Sequence, residues 1–455
     1  MRGFAAVLLF LTIFFFFIQR FVPMPTGEGM SHDAKYFYAE SIETEILTDW
    51  FSSLFIYESI ILKRCLQYFI GSSVSGVYVL YVVFWLFTCL MGAAIALLVQ
   101  RLIRENWMWI LFVPVLAVLA YQGLFTITIG LDYYFIGFLW CELIVILLHY
   151  HTKSKWRKIT YTCLILVILF HLVSYRKNAI LYIPIVTGYL IYTSACVSHF
   201  RTLQKLVLWG GLTVMFSFLS MKLVDSILPV QKQYPVSPMM ESDVRIASIL
   251  RGEEPVYWMR NMVPQMGRSA SAGVMSAYWL GRSREVEWND FRDVYIEEWK
   301  KNYDTMLVAG IIQRVHFFFG DYGISWIRGV IENRYPAVKG NERAWKKIFI
   351  LRGPRFILSR VVLVLTPLAI WLANILCRRK WIPPFASSFV VVSGTLSVVY
   401  ASSFIIVTPT PDSRYLTPSV MLAVLGMFVL AATVGMEMIK RIISRMGTQS
   451  GDNGV

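Results

Sequence analysis

About ten stretches of the chain stay apolar for long enough to cross a bilayer, and polar segments of very unequal length separate them. A spanning helix needs about 20 such residues, because in lipid every backbone N–H and C=O must find its partner within the segment. The stretches run 4–22, 75–99, 107–124, 132–150, 159–174, 179–198, 206–228, 357–377, 384–407 and 415–436. The pattern predicts an all-α fold, a polytopic transmembrane bundle. The first run, Phe4 to Ile18, is followed by the bulky Gln19-Arg20-Phe21-Val22-Pro23 and no small-residue cleavage site, so it reads as a retained helix. Four parts follow: a transmembrane module with a first extramembrane loop (1–228), a mixed, mostly helical extramembrane lid (229–356), C-terminal transmembrane helices (357–446), and a polar tail (447–455) expected to be disordered. No internal repeat or low-complexity tract interrupts them.

Basic residues orient the map. With a cytoplasmic N-terminus, the cytoplasmic connections carry Arg101-Leu102-Ile103-Arg104, Lys153 to Lys158, His199-Phe200-Arg201 to Lys205, Arg378-Arg379-Lys380, and Lys440-Arg441 to Arg445. Each is short and basic, as the positive-inside rule requires. The predicted location is therefore the cell's inner membrane, with the long polar segments outside. The 229–356 segment holds half of the 28 acidic residues together with Trp258, Trp279, Trp288, Trp299, Trp326 and Trp345. Within it, Tyr295 to Trp299 and Met306 to Phe319 have the pattern of amphipathic helices lying at the membrane interface.

Composition agrees with a lipid environment. The chain is 57% hydrophobic and 16% charged, whereas soluble domains carry about 25% charged residues. The net charge of +15 sits mostly at the ends of apolar runs, which argues for orientation in a membrane and against nucleic acid. Six cysteines, with no CxxC among them, point to neither a disulfide framework nor a zinc site. No His, Asp and Glu cluster has ligand spacing, so no metal is expected.

Candidate chemistry collects on the non-cytoplasmic side. The first loop reads Ser31-His32-Asp33-Ala34-Lys35-Tyr36, then Thr48-Asp49-Trp50-Phe51-Ser52. A carboxylate there can take a proton from an attacking hydroxyl, although Asp49 before Trp50 also suits a helix N-cap. The turn Arg176-Lys177-Asn178 puts two cations on the side where the rule disfavours them. Such cations either bind phosphate or snorkel to headgroups. The last loop repeats the feature in Asp412-Ser413-Arg414-Tyr415, either as a site or as a surface Asp412–Arg414 pair. Glu142 and Asp225 fall within spans, where an ionisable group is costly. Glu142 is expected to hydrogen-bond another helix. His149 and His151 read as interface residues.

An Asp after the first helix, an Asp-Trp some sixteen positions on, an Arg-Lys-Asn-Ala turn in mid-chain and an Arg-Tyr-x-x-Pro before the last helix together resemble GT-C-type membrane glycosyltransferases. The likeness extends to bacterial members such as the serotype-converting O-antigen glucosyltransferases. It covers most of the chain in topology and three short motifs in sequence. Those relatives tend to read Asp-Trp-His-Pro where this chain has Asp49-Trp50-Phe51-Ser52, which leaves His32 as a residue to fill the histidine's place.

The resemblance implies a polyprenyl-phosphate-linked sugar as donor and co-substrate, with no other cofactor. It implies a glycan or lipid-linked acceptor and inversion at the anomeric carbon. A flippase and a polyprenyl-phosphate sugar synthase become the expected pathway partners. Asp33 and Asp49 would be the catalytic carboxylates, and Arg176, Lys177 and Arg414 would hold the donor phosphate. His32, Tyr36, Asn178 and Tyr415 would contact acceptor or sugar. An O-antigen or exopolysaccharide polymerase shares the lipid-linked donor and the outer arginines. A secondary transporter would be expected to show internal repeats and broken helices.

Overall fold

The computed structural model describes residues 38–48, 52–71, 73–83, 131–194, 199–231, 237–254, 285–348, 357–377, 382, 384–406 and 413–449. The expected spans at 4–22 and 107–124, and most of 75–99, lie outside them. The described chain is helical. A short helix α1 (Ala39–Thr44) leads to α2 (Ser53–Ile70), and residues 76–83 are helical. Then come α3 (Leu131–His151), α4 (Lys155–Tyr175), a 3-10 turn over Lys177–Leu181, and α5 (Tyr182–Thr193). Helix α6 (Thr202–Phe218) runs on through a wider turn at Leu219–Leu223 to Val224–Ile227, which includes Asp225. The 229–356 segment contributes α7 (Ser237–Arg251), α8 (Glu285–Lys301), α9 (Tyr303–Arg334) and α10 (Glu342–Ile348). The chain closes with α11 (Ile357–Leu376), α12 (Pro384–Ile406) and α13 (Thr417–Gln449). A short parallel pairing joins β1 (Leu47–Thr48) to β2 (Val230–Gln231), with Leu47 opposite Val230.

Four of the described helices are long and apolar enough to cross a membrane: Lys155–Tyr175, Thr202–Leu223, Ala386–Ile405 and Thr417–Gly435. Phe135–His151 and Arg360–Leu376 are apolar but shorter. Helix α6 leaves Leu203, Val207, Val214 and Phe218 exposed along its length, a side that suits lipid tails and not water. Lipid supplies no hydrophobic drive between helices, so close packing and polar contacts must hold the bundle together. Helices α12 and α13 show how. Ser397 Oγ donates to the Ser419 carbonyl at 2.6 Å, and Gly426 lies against Ser393 so closely that a Cβ would overlap the serine oxygen. The two contacts run in opposite order along the chain, which makes the pair antiparallel. Asn374 closes the α11–α12 turn by accepting from the Ile382 N–H at 3.1 Å. The Tyr182 hydroxyl joins α5 to α12 by donating to the Leu396 carbonyl at 2.8 Å.

Two expectations need correction here. His149 is not an interface residue: it is buried, with Nδ1 2.9 Å from the Tyr189 hydroxyl, because α5 packs across the end of α3. Asp49 is not the cap of the helix that follows it. That helix starts at Ser53, and Ser52 Oγ accepts from the Phe55 N–H at 3.1 Å.

Residues between Val244 and Ile348 build a hydrophobic core of their own from Val244, Ala247, Leu250, Met306, Ala309, Ile312 and their neighbours. The two expected amphipathic stretches belong to longer helices, α8 and α9. Met306 and Ile312 turn into this core, with Tyr295 and Trp299 packed against it, while Leu307 and Ile311 stay exposed. Trp345 is likewise interior: it is buried, donates Nε1 to Glu332 at 2.9 Å, and has Arg328 5.3 Å above its ring. Trp326 is exposed, while Trp258 and Trp279 lie outside the described residues.

Candidate functional site

The Arg-Lys-Asn turn forms because α4 stops abruptly. Arg176 takes an extended backbone (φ −138°, ψ 105°) at the end of α4, and its N–H donates to the Leu172 carbonyl at 3.0 Å. Its own carbonyl accepts from Ala179 at 2.8 Å, starting the 3-10 turn that sends α5 back along α4. Arg176 is half-buried, Lys177 exposed and Asn178 half-buried. A cation at this position also meets the negative end of the α4 dipole.

The last loop comes to the same place. Ser413–Leu416 forms a 3-10 turn leading into α13, and its Tyr415 ring lies under the Arg176 guanidinium, 5.4 Å from Cζ to centroid. A guanidinium stacked on an aromatic face gains about 0.5–2 kcal/mol, more as it loses water, and its planar fork is held in one orientation. Arg414 is in the same turn. The structure thus brings together residues from the middle and the end of the sequence that had been grouped only by resemblance.

Asp33, His32, Tyr36 and Asp49 lie outside the described residues. The segments next to them do reach this end of the bundle. The Tyr38 ring is 6.0 Å from Phe55, and Phe55 is 5.4 Å from Tyr175, the neighbour of Arg176. Lys63 fastens the same loop by donating Nζ to the carbonyls of Ile42 and Glu43, each at 3.1 Å. The β1–β2 pairing ties it in turn to the start of the 229–356 segment.

Sequence reasoning missed a polar cluster on the α2–α4 seam. The Tyr175 hydroxyl donates to Glu58 Oε2 at 2.5 Å, and His171 Nε2 is 2.9 Å from Glu58 Oε1. His171 Nδ1 donates to the Val167 carbonyl at 2.8 Å. Phe138 stacks on His171 at 5.1 Å. His171 alone left a signal, as an ionisable residue inside the apolar run 159–174, the same ground on which Glu142 was singled out; nothing in the sequence joins it to Glu58. Glu142 itself is fully buried, and neither carboxylate oxygen has a hydrogen-bond partner among the described residues, so the expected interhelical bond is not seen there.

A second polar cluster lies in the 229–356 segment. Asp243 accepts from Gln313 Nε2 at 2.6 Å and from the Tyr295 hydroxyl at 3.3 Å, with Arg314 3.6 Å away. Burial raises its carboxyl to about 6, against the pull of Arg314 and the Tyr295 hydrogen bond. Among the described residues, no three His, Cys, Asp or Glu side chains gather at metal-ligand spacing.

At this end of the bundle, the arrangement offers a stacked guanidinium, an exposed lysine beside it and aromatic walls: a surface suited to an anion attached to an apolar chain. No protein-family model matches the chain, and neither does any curated protein or solved structure.

Proposed function

We propose that the chain is a polytopic inner-membrane glycosyltransferase of GT-C type, with about ten helices and its site on the outer face. It moves a sugar from a polyprenyl-phosphate carrier to a hydroxyl of a glycan or lipid-linked acceptor. The acceptor oxygen attacks the anomeric carbon as the bond from that carbon to the phosphate oxygen breaks, inverting the centre. The hydroxyl proton passes to Asp33, the general base, with Asp49 as the second carboxylate of the loop. The leaving group is the polyprenyl phosphate, and Arg176, Lys177 and Arg414 stabilise the charge it gains. His32, Tyr36, Asn178 and Tyr415 serve the sugar or the acceptor. The 229–356 segment covers the outer mouth of the bundle.

The observation that carries this reading is Arg176 held over Tyr415. A half-buried guanidinium stacked beside the turn that also bears Arg414 supports phosphate holding over snorkelling to bulk headgroups. The test is binding of farnesyl phosphate against farnesol by the full-length protein in detergent. The phosphate is expected to bind at least about tenfold more tightly, a difference of about 1.4 kcal/mol. Arg176→Ala should remove that preference, and Arg176→Lys should recover only part of it, since a point charge does not replace a planar fork. Equal binding of phosphate and alcohol by the unaltered protein would reject the site.

A further inference from the structure

Helix α9 reaches out of its own segment and into the bundle through aromatic rings. Phe317 is fully buried and belongs to the bundle's core, not to the core that Met306 and Ile312 share. Its ring is 5.2 Å from Phe404 on α12, and Phe404 is 5.9 Å from Tyr415, the residue that carries Arg176. Arg314, nearly one turn before Phe317, donates Nε to the Ile405 carbonyl at 3.0 Å. That carbonyl is among the last of α12 and has no acceptor role within its own helix. Two neighbouring side chains of α9 therefore grip the same turn of α12, just before the loop that leads to Tyr415. Gly320 interrupts α9 three residues beyond Phe317, at φ 59° and ψ −150°, a conformation open in practice only to glycine. The gripping half of the helix thus ends at a fixed break.

We propose that Phe317 is a positioning residue for Arg176, acting through Phe404 and Tyr415, so that the extramembrane segment sets the geometry of the site cation. Phe317 and Phe404 are both wholly buried, and close-packed interiors pass a displacement on without absorbing it. A change in the seat of Phe317 moves Phe404, then the Tyr415 ring, then the guanidinium resting on it. The proposal rests on the reading of Arg176 as the anion-holding group, and two separate readouts keep the two ideas apart.

The first readout needs no ligand. Lys177, exposed beside Arg176, is replaced by cysteine in the full-length protein. Its maleimide labelling rate is then compared in the parent, in Phe317→Ala and in the bulkier Phe317→Leu. Cys65 and Cys377, both exposed, are followed in the same reaction as references. The expected result is a labelling rate at position 177 raised about fivefold or more in Phe317→Ala and less in Phe317→Leu, with both references unchanged; a fivefold shift corresponds to about 1 kcal/mol. An unchanged rate in the folded variants makes Phe317 ordinary core packing and overturns the proposal. The second readout is farnesyl phosphate binding by Phe317 variants that retain Lys177, expected to weaken in the same order. Changed labelling with no farnesyl phosphate binding by the unaltered protein would leave Phe317 a positioning residue and remove the anion from Arg176.

Discussion

Arg176 gains its character from its two neighbours in space. The end of α4 leaves it extended, and the Tyr415 ring gives it a platform. A lysine can neither stack in that way nor present a planar edge, which is why the pair matters more than the charge. For the first loop, the same scale separates two carboxylates. Asp33→Asn keeps size and hydrogen-bonding shape but cannot accept a proton, so turnover should fall by about 10²–10⁴ with membrane insertion intact. Asp49→Asn is the comparison. Ser52 already caps α2, so a loss in Asp49→Asn cannot be ascribed to a missing cap. Sugar transfer by matched amounts of each variant decides it: activity retained in Asp33→Asn and lost in Asp49→Asn would move the base to Asp49.

Among the elements, the 229–356 segment makes a prediction of its own. Asp243 is buried between α7, α8 and α9, facing Tyr295, Gln313 and Arg314. Its carboxyl rises from 3.8 to about 6 on burial. The folded state therefore binds the proton more tightly than the unfolded chain does. The stabilising effect of that proton is complete below the ordinary carboxylate value, and it is lost as pH rises through about 6. Raising pH from about 5 to 7.5 should cost the segment about 1 kcal/mol, seen as a lower unfolding midpoint. Asp243→Asn should remove the dependence, and an unchanged pH slope in that variant would contradict the assignment. Glu253, drawn the other way by the Arg251 hydrogen bond, acts only at lower pH.

The elements also show what the sequence could disclose. Helix α13 runs on past its apolar stretch to Gln449, so Gly447–Gln449 of the tail expected to be disordered are helical. Helices α3, α4, α11 and α12 follow the apolar runs closely, because a bilayer forces length and composition to agree. The turn at Arg176 was legible for the same reason. The Asp243 cluster, the Glu58–His171–Tyr175 cluster and the ring contacts of Phe317 were not, because each joins residues far apart in the chain and leaves no local period. The tryptophans of the 229–356 segment read as interfacial because composition cannot tell a ring at a membrane surface from one, like Trp345, that is packed in a small core.

Across the whole molecule, distant pieces converge on one end of the bundle. The flanks of the first loop meet Tyr175, the last loop meets Arg176, and β1 pairs with the start of the 229–356 segment. Phe317 then links that segment to the last loop through Phe404. The proposed transfer would use this convergence, since donor phosphate, acceptor hydroxyl and base would have to meet at the lipid surface. The most direct measurement is release of polyprenyl phosphate by the purified full-length protein. A panel of polyprenyl-phosphate hexoses and pentoses would be presented with lipid-linked and glycan acceptors, beside Asp33→Asn and Arg176→Ala. The account predicts release and sugar transfer from at least one donor, nearly abolished in both variants. Binding of the donors without release from any of them, or release that is equally fast in both variants, would contradict it.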